Sequence, residues 1–349
     1  MNVHRYKRTF GAPSWAEDLL AETSASQKAS HAFASTAGSI LARRSGILSS
    51  DTLDIVRRKN ANLEAESSAV VQALAFHPSS NVMLTAGFDK TLRLFDIDGE
   101  ENPKIYSLHV PDLPIAAAQF APDGQSVFMS GRRKYYYVMD LPSCSTVRLP
   151  SIRHRGEECN LEKMALSPCN RYLAFIGQRG VVYVLSRKTR QYIGELKLNG
   201  ICTAVTFSHD GDTLFATGKA GDIYQFDLGS RRCIHRFVDD GARHTTDLQV
   251  AQDRWLASGG DAGIVNVYAY ETCLTTTRPK PLAAIKNLLT PIHTCQFSHD
   301  GQLLAIASRA KKDQLRMVAC LLHFSLFLFL ANRKTSDTVC LPHHIGPSA

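Results

Sequence analysis

The sequence predicts an all-β fold, a β-propeller of repeated four-stranded sheets, and three observations support this prediction. From Ala69 onward, short runs of alternating apolar and polar residues are separated by Asp, Gly, Ser, Asn and Pro, which is typical of strands joined by tight turns. This pattern recurs at intervals of 41 to 47 residues. Each copy is long enough for four strands, and a sheet that is apolar on both faces can bury them only against neighbouring sheets.

Fixed spacings identify the individual copies. Phe76 is followed after eleven residues by Gly87 and after eight more by Phe95. Four further copies keep these intervals, the last with ten residues in place of eleven; they begin at Phe120, Leu166, Phe207 and Val250 and contain Gly131, Gly177, Gly218 and Gly260. Each glycine is expected to allow either a positive φ or close backbone packing. A generic β-sandwich is the weaker alternative, because its hairpins would not keep fixed offsets through five copies.

The two ends of the chain depart from the repeat. A sixth copy begins at Phe297, but its second hairpin is longer, and the following apolar stretch lacks strand alternation and is shorter than the ~20 residues of a membrane-spanning helix. We therefore expect six visible blades, with the sixth incomplete and an expected seventh missing. Residues 67–318 are assigned to the propeller, 319–349 to an atypical apolar-then-polar tail, and 1–66 to an extension that is partly helical or disordered. Ser14 and Glu17 form a capping-box pattern, which predicts a helix near Trp15.

Composition restricts the class of protein. The 349 residues carry a net charge of +8, which suits a polyanionic partner such as RNA. The nine cysteines include no C-x-x-C pair, so a disulfide framework or a zinc site is not expected. We expect reduced thiols that pack as small apolar groups. No apolar stretch follows the basic N-terminal residues, so no signal peptide is expected, and the predicted compartment is reducing and intracellular.

The ends of the third strands carry the most characteristic motif. They contain Phe95-Asp96 and Phe226-Asp227, with Tyr268 at the corresponding position of the fifth copy, and Asp89 lies in the turn before the first of these strands. This pattern resembles the WD-repeat family, in which Trp-Asp occupies the position. The repeat positions are expected to be structural: Gly87, Asp89, Phe95, Asp96, Gly131, Gly177, Gly218, Phe226, Asp227, Gly260 and Tyr268.

No motif predicts catalysis, a cofactor or a metal. The chain contains no P-loop, no G-x-S-x-G and no H-E-x-x-H. His209 and His299 both stand in the sequence "FSHDG", but they recur at one turn position, whereas a catalytic site needs groups that converge. We therefore predict that the protein is not an enzyme and takes no small-molecule substrate.

Basic clusters in the predicted turns are the candidate contacts to RNA or to protein partners. They comprise Arg132, Arg133, Lys134, Arg153, Arg155, Arg187, Lys188, Arg190, Arg231 and Arg232. Turns line the rims of a propeller, where cations can meet a phosphate backbone. Tyr135, Tyr136 and Tyr137 follow the first cluster and are suited to stacking on bases, with packing inside the blade as the alternative.

Longer segments carry a more specific resemblance. "GAPSWAE", "RRSGIL", "VQALAFHPSSNVMLTAGFDKTLRLFDIDGEENPKIYSLHVPDLPI", "RCIHRFVDDG", "GIVNVYAYETCLTTTRPKPLAAIKNLLTPI" and "LLAIASRAKKDQLRMV" are similar to the U-three small nucleolar RNA-associated protein eighteen family. The resemblance implies a nucleolar scaffold of the small-subunit processome that supports 18S rRNA maturation. Its implied partners are other propeller subunits, the U-three small nucleolar RNA particle and pre-rRNA, with no membrane.

A second hypothesis is a peptide-reading propeller adaptor, such as a ubiquitin-ligase substrate receptor. Such a protein would need a basic or aromatic pocket at the central channel and an element that binds an adaptor, and the sequence has no F-box-like segment.

Overall fold

Six antiparallel four-stranded sheets make up the part of the chain that the structure describes, and we call them blades 1 to 6 in chain order. The computed structural model describes residues 58–150, 160–312, 314–320 and 326–329, the last as backbone only. All of them belong to the second of two units of the chain, residues 50–349. Within each blade the strands pair in the order of the sequence, so each blade is a simple meander.

The first three blades contain twelve strands. Blade 1 comprises β1 (Val71–Phe76), β2 (Val82–Gly87), β3 (Thr91–Asp96) and β4 (Lys104–His109). Blade 2 comprises β5 (Ala117–Phe120), β6 (Ser126–Ser130), β7 (Tyr136–Asp140) and β8 (Ser145–Leu149). Blade 3 comprises β9 (Met164–Leu166), β10 (Tyr172–Ile176), β11 (Val181–Ser186) and β12 (Tyr192–Lys197).

The last three blades repeat this arrangement and add one short helix. Blade 4 comprises β13 (Cys202–Phe207), β14 (Thr213–Gly218), β15 (Asp222–Asp227) and β16 (Arg232–Val238). Blade 5 comprises β17 (Thr245–Ala251), β18 (Trp255–Gly260), β19 (Val265–Ala269) and β20 (Ala283–Ile285), with helix α1 (Tyr270–Thr275) between its last two strands. Blade 6 comprises β21 (Thr294–Phe297), β22 (Leu303–Ala307), β23 (Leu315–Cys320) and β24 (Leu326–Phe329).

The predicted propeller is confirmed, but the prediction of an incomplete sixth blade is wrong. The longer second hairpin of this blade is accommodated in the turn between β22 and β23. The apolar stretch after Val318 then supplies the end of β23 and all of β24, so the sheet has four strands and extends past the predicted boundary at residue 318. The helix predicted near Trp15 lies outside the described residues. No helix among the residues that the structure describes is long and apolar enough to cross a membrane.

Apolar side chains fill the five junctions between consecutive blades. Each junction contains one cluster of buried residues contributed by both neighbours. Phe120 and Phe207, at the end of the first strand of their blades, are 8% and 6% exposed because they face the preceding blade. The predicted requirement that each sheet bury both faces against its neighbours is therefore met at these junctions.

The junction between blade 6 and blade 1 differs from the other five. Arg309 of blade 6 donates a hydrogen bond to the side-chain oxygen of Gln72 in blade 1 at 2.6 Å, so the two blades meet at one end. Leu74 and Phe76, however, face the preceding blade position and are 58% and 62% exposed. Among the described residues, this junction has no cluster of buried apolar side chains like those of the other five.

Close backbone packing explains two of the repeated glycines. A Cβ atom on Gly87 would lie 2.4 Å from the carbonyl oxygen of Val70, and one on Gly131 would lie 2.3 Å from that of Pro114. Such distances are far inside van der Waals contact, so a side chain at either position would displace the strand that enters the blade. Gly218 has no comparable restriction, because its nearest neighbour would lie at 3.6 Å.

The aromatic repeat positions are core residues. Phe95 and Tyr268 are fully buried, and Phe226 is 3% exposed. The hydroxyl of Tyr268 donates to Asp239 Oδ1 at 2.5 Å, and the side-chain amide of Asn266 donates to the same oxygen at 2.8 Å. This buried network between blades 4 and 5 satisfies the polar atom that tyrosine adds to the position.

The Asp residues of the repeat have two different environments. The side chain of Asp89 is enclosed and pairs with Arg93, whereas Asp96 is exposed at the end of β3. Asp227 accepts hydrogen bonds from the backbone amides of Gly229 and Ser230, which fixes the turn after β15. Asp89, in the turn before a third strand, therefore stabilises an enclosed site in blade 1, whereas Asp227, at the end of a third strand, fixes an exposed turn in blade 4.

The described cysteines are all free thiols, and their environments predict which of them react. Burial raises the pKa of Cys202 and Cys273 to about 12, whereas Cys144 and Cys233 are exposed. Because the thiolate is the nucleophile, iodoacetamide at neutral pH is expected to modify both exposed thiols in the native protein, Cys233 more slowly because partial burial raises its pKa, and the two buried thiols only after unfolding. Mass spectrometry of peptides across a time course would measure this. Rapid native modification of Cys273 would contradict a closed junction between blades 4 and 5.

Candidate nucleic-acid interface

The meander order places the turns of every blade on two opposite faces. The turns between second and third strands share one face with the segments that link successive blades, which we call the connection face. There the amide of Ile115 donates to Gly87 and the amide of Ile292 donates to Gly260, each at 3.2 Å. The remaining turns form the hairpin face, where the side chain of Asn170 donates to Asp123 of the previous blade at 3.2 Å.

The predicted basic residues are divided between these faces. Arg132, Arg133 and Lys134 form the turn between β6 and β7 on the connection face. The others that the structure describes lie on the hairpin face, in the turn between β11 and β12 and at the start of β16: Arg187, Lys188, Arg190, Arg231 and Arg232. Arg153 and Arg155 lie outside the described residues. The candidates therefore do not form one surface.

Two of the hairpin-face arginines hold neighbouring blades together. The side chain of Arg187 is only 10% exposed and pairs with Asp123 of blade 2 at 2.5 Å. Burial opposes ionisation of Asp123, but the hydrogen bonds from Arg187 and other donors hold the pKa of this carboxyl below its usual value. Arg231 donates to the carbonyl oxygen of Ile193 in blade 3 at 3.0 Å. The prediction of Arg187 as a polyanion contact is therefore replaced by a structural role, because its charge is already paired and enclosed.

A basic cleft lies on the connection face of blade 2. Its volume is about 720 Å³, and we call it the blade-2 cleft; it is lined by Arg132, Arg133, Lys134, Tyr135, Arg148, Pro150 and Asn160. Arg132 pairs with Glu162 at 3.0 Å. Arg133 and Lys134 are exposed, and neither forms an ion pair with another of the described residues. Two cations of the predicted cluster are thus open to a partner from outside.

One arginine in the lining of this cleft, Arg148, was not among the candidate residues predicted from the sequence. The guanidinium carbon of Arg148 lies 3.8 Å from the centre of the Tyr135 ring, within the range of a cation–π contact. Tyr135 donates its hydroxyl to the carbonyl oxygen of Asp112 at 3.0 Å, which fixes the ring. Strand pairing places Arg148 opposite Tyr137, so the register between β7 and β8 was the signal that could have identified it.

The three consecutive tyrosines have different environments. Tyr136 is 2% exposed and packs 5.1 Å from the ring of Phe175 in blade 3. Burial raises its pKa to about 12. Tyr135 and Tyr137 share the other face of the strand and form an edge-to-face pair at 5.9 Å. Tyr136 is therefore packed between blades 2 and 3, whereas Tyr135 also lines the blade-2 cleft.

A second cavity lies on the connection face near the inner strands. It measures about 580 Å³, and its lining includes Lys163 together with Glu162 and Asp261. Lys163 donates to the carbonyl oxygen of Thr203 at 2.6 Å, which joins blade 3 to blade 4. The described lining contains no arginine and no Phe, Tyr or Trp side chain. Its lysine and its histidine, Lys163 and His293, are accompanied by two carboxylates, so it is not the predominantly basic or aromatic pocket that a peptide-reading adaptor would need.

The two "SHDG" turns join blades on the hairpin face. The amide of His209 donates to Asp253 of blade 5 at 3.0 Å, and the carbonyl oxygen of His299 accepts from Gln252 at 2.8 Å. Both contacts use backbone atoms of the histidines, so the recurrence of this turn reflects contact between blades. Within the part of the chain that the structure describes, no group of three or more His, Cys, Asp or Glu residues could hold a metal ion.

The repeated meanders and their turn-lined faces define a WD-repeat β-propeller, and residues 58–96 match the family model described as "WD domain, G-beta repeat". The chain is 32% identical over 96% of its length to the "Probable U3 small nucleolar RNA-associated protein 18" of Schizosaccharomyces pombe, of which it covers 66%. It is 36% identical over 80% of its length to the Arabidopsis thaliana homolog of that name, covering 51% of it. For the Homo sapiens homolog the identity is 32% over 93% of this chain and 60% of the relative.

The chain therefore belongs to the family of U3 small nucleolar RNA-associated protein 18. It spans about half to two thirds of the length of these curated relatives.

Proposed function

We propose that this protein acts in ribosome biogenesis as a non-catalytic scaffold of the small-subunit processome in the nucleolus. In this role it supports U3-dependent processing of pre-rRNA and maturation of 18S rRNA. Its partners are other propeller subunits of the processome and the U3 small nucleolar RNA particle with its pre-rRNA. The names of its relatives are the observation that carries this proposal, because they describe association with U3 small nucleolar RNA.

The chemistry of the described surface supports a binding role. A propeller presents two faces of turns, and one of them has a cleft with cations that no described carboxylate neutralises. Surfaces of this kind suit assembly with ribonucleoprotein, because phosphates bind to exposed arginine and lysine.

Affinity purification tests the proposal. The tagged full chain is expressed in cells, recovered from a nucleolar extract and compared with an unrelated WD-repeat propeller that carries the same tag. We expect enrichment of U3 small nucleolar RNA, measured by quantitative reverse transcription, and of processome subunits, measured by mass spectrometry. Recovery of cullin adaptors without U3 RNA would instead support the peptide-reading adaptor, and the absence of both U3 RNA and processome subunits would refute the scaffold role.

A further inference from the structure

We propose that the blade-2 cleft binds single-stranded RNA, with phosphates on Arg133 and Lys134 and a base stacked on the Arg148 guanidinium. The inference deepens the proposed function and rests on it only for the biological source of the RNA. The chemistry of recognition is carried by the cleft itself.

The charge balance of the cleft favours a polyanion. Two of its four cations have carboxylate neighbours: Arg132 pairs with Glu162, and Arg148 lies 3.8 Å from Asp112. Among the described residues no such neighbour restrains Arg133 or Lys134, and the adjacent arrangement of two free cations matches successive phosphates of one strand.

The stacked pair of Tyr135 and Arg148 adds a flat surface to these charges. Tyr135 supports one face of the guanidinium, at 3.8 Å from the ring centre. The Arg148 side chain remains 53% exposed, so its opposite face is open to the solvent of the cleft. A guanidinium held over an aromatic ring in this way can accept a nucleobase on its exposed side, as arginine planes do in proteins that bind single-stranded RNA.

This combination selects single-stranded RNA over the other polyanions. In an RNA duplex the bases are already stacked on one another, so a protein reads mainly shape, phosphates and hydroxyls. An acidic protein segment would pair with Arg133 and Lys134 but would leave the exposed guanidinium face without a stacking partner. The exposed guanidinium of Arg148 therefore favours single-stranded RNA over duplex RNA and over an acidic protein segment.

Fluorescence anisotropy measures the affinity of the full chain for a short labelled uridine oligoribonucleotide as a function of salt. The variant Arg133→Glu/Lys134→Glu is expected to bind at least about tenfold more weakly, and its salt slope is expected to fall by about 1.4, because two phosphate contacts to a single strand are lost. The matched control is Lys311→Glu/Lys312→Glu, which makes the same change in charge at two adjacent exposed lysines in a turn of blade 6. We expect the control to change the affinity by less than about threefold, since rim charges act mainly at long range.

The variant Arg148→Lys tests stacking at constant charge. Lysine keeps the positive charge but has no planar group, so affinity is expected to fall about fivefold or more, the lower end of the loss of one base stack. Circular dichroism melting of each variant confirms that it is folded. An equal loss in the cleft variant and in the blade-6 control would overturn the proposal, and so would full affinity in Arg148→Lys.

Competition experiments identify the class of partner. Unlabelled single-stranded RNA, duplex RNA and a polyglutamate peptide are each added to the preformed complex. The single-stranded RNA is expected to displace the labelled probe at the lowest concentration. Equal or better displacement by polyglutamate would overturn the proposal in favour of an acidic protein partner. These outcomes are independent of the affinity purification. The cleft can bind RNA in vitro even if U3 RNA is not recovered from cells, and U3 RNA can be recovered from cells even if the cleft does not bind RNA in vitro.

Discussion

Replacement of Phe207 by alanine is expected to lower the free energy of unfolding by about 3–5 kcal/mol, whereas the same change at Phe76 is expected to cost less than about 0.5 kcal/mol. The two residues occupy the same position, at the end of the first strand of a blade. Phe207 is 6% exposed and packs in the cluster between blades 3 and 4. Phe76 is 62% exposed at the junction between blades 6 and 1, so it has little contact to lose.

Urea denaturation of the wild type and both variants, followed by tryptophan fluorescence, measures the difference directly. Phe120→Ala in blade 2 serves as a second control, because Phe120 is 8% exposed at the equivalent position. It should behave like Phe207→Ala. A cost for Phe76→Ala equal to that of the other two would contradict an unpacked junction and would mean that an apolar surface covers β1 in solution.

The architecture could be predicted from the sequence because a propeller blade repeats local rules. The fixed intervals from Phe76 to Gly87 and Phe95 follow from strand length and turn position, and each copy repeats them. Each copy was predicted to be long enough for four strands, and fourth strands are present at 104–109, 145–149 and 192–197. Helix α1 was not predicted, since Ala269 at its N-cap provides no side-chain hydrogen bond and so leaves no capping signal.

The sixth blade shows where local rules fail. Its outer strands lack apolar and polar alternation in the sequence, so they resemble a tail by pattern alone. They form strands because each hydrogen-bonds to a neighbour: Val318 pairs with Leu304 on one side and with Leu328 on the other. Tertiary pairing thus overrides a weak local pattern.

The candidate site was predicted only in part. The triplet Arg132, Arg133 and Lys134 could be identified because charged residues in a turn point to solvent. The sequence could not show that Arg187 is enclosed by Asp123, because 64 residues separate the two. Nor could it show that Arg148 lies over Tyr135, because this contact depends on the register between two strands.

Replacement of Asp89 by alanine is expected to destabilise the protein by about 3–5 kcal/mol, because it leaves the enclosed charge of Arg93 without its carboxylate and with only the Ser67 hydroxyl as a hydrogen-bond partner among the described residues. Asp89 lies in the turn before β3, and the side chains of Asp89 and Arg93 are 2% and 12% exposed. The Arg93 guanidinium lies 2.5 Å from Asp89 Oδ2, and the hydroxyl of Ser67 donates to the same oxygen at 2.9 Å. Asp300→Ala, in an exposed turn, is the matched control and should change stability by less than about 0.5 kcal/mol.

The pH dependence of this effect has a definite sign. Burial alone would raise the pKa of Asp89, but the hydrogen bonds from Arg93 and Ser67 hold it below its usual value. A carboxyl with a lowered pKa in the folded state contributes stability that is complete above its unfolded pKa of about 3.9 and is lost as the pH falls through the folded pKa. The difference in unfolding free energy between wild type and Asp89→Ala should therefore be largest near neutral pH and should shrink below about pH 4.

A double variant separates the pair from its environment. Asp89→Ala combined with Arg93→Met removes both charges, so it should be more stable than Asp89→Ala alone, because no unpaired charge remains buried. Urea denaturation across the pH range measures all three proteins. If the single and double variants are equally unstable, or if the gap between wild type and Asp89→Ala does not depend on pH, then the ion pair is not what stabilises the first blade.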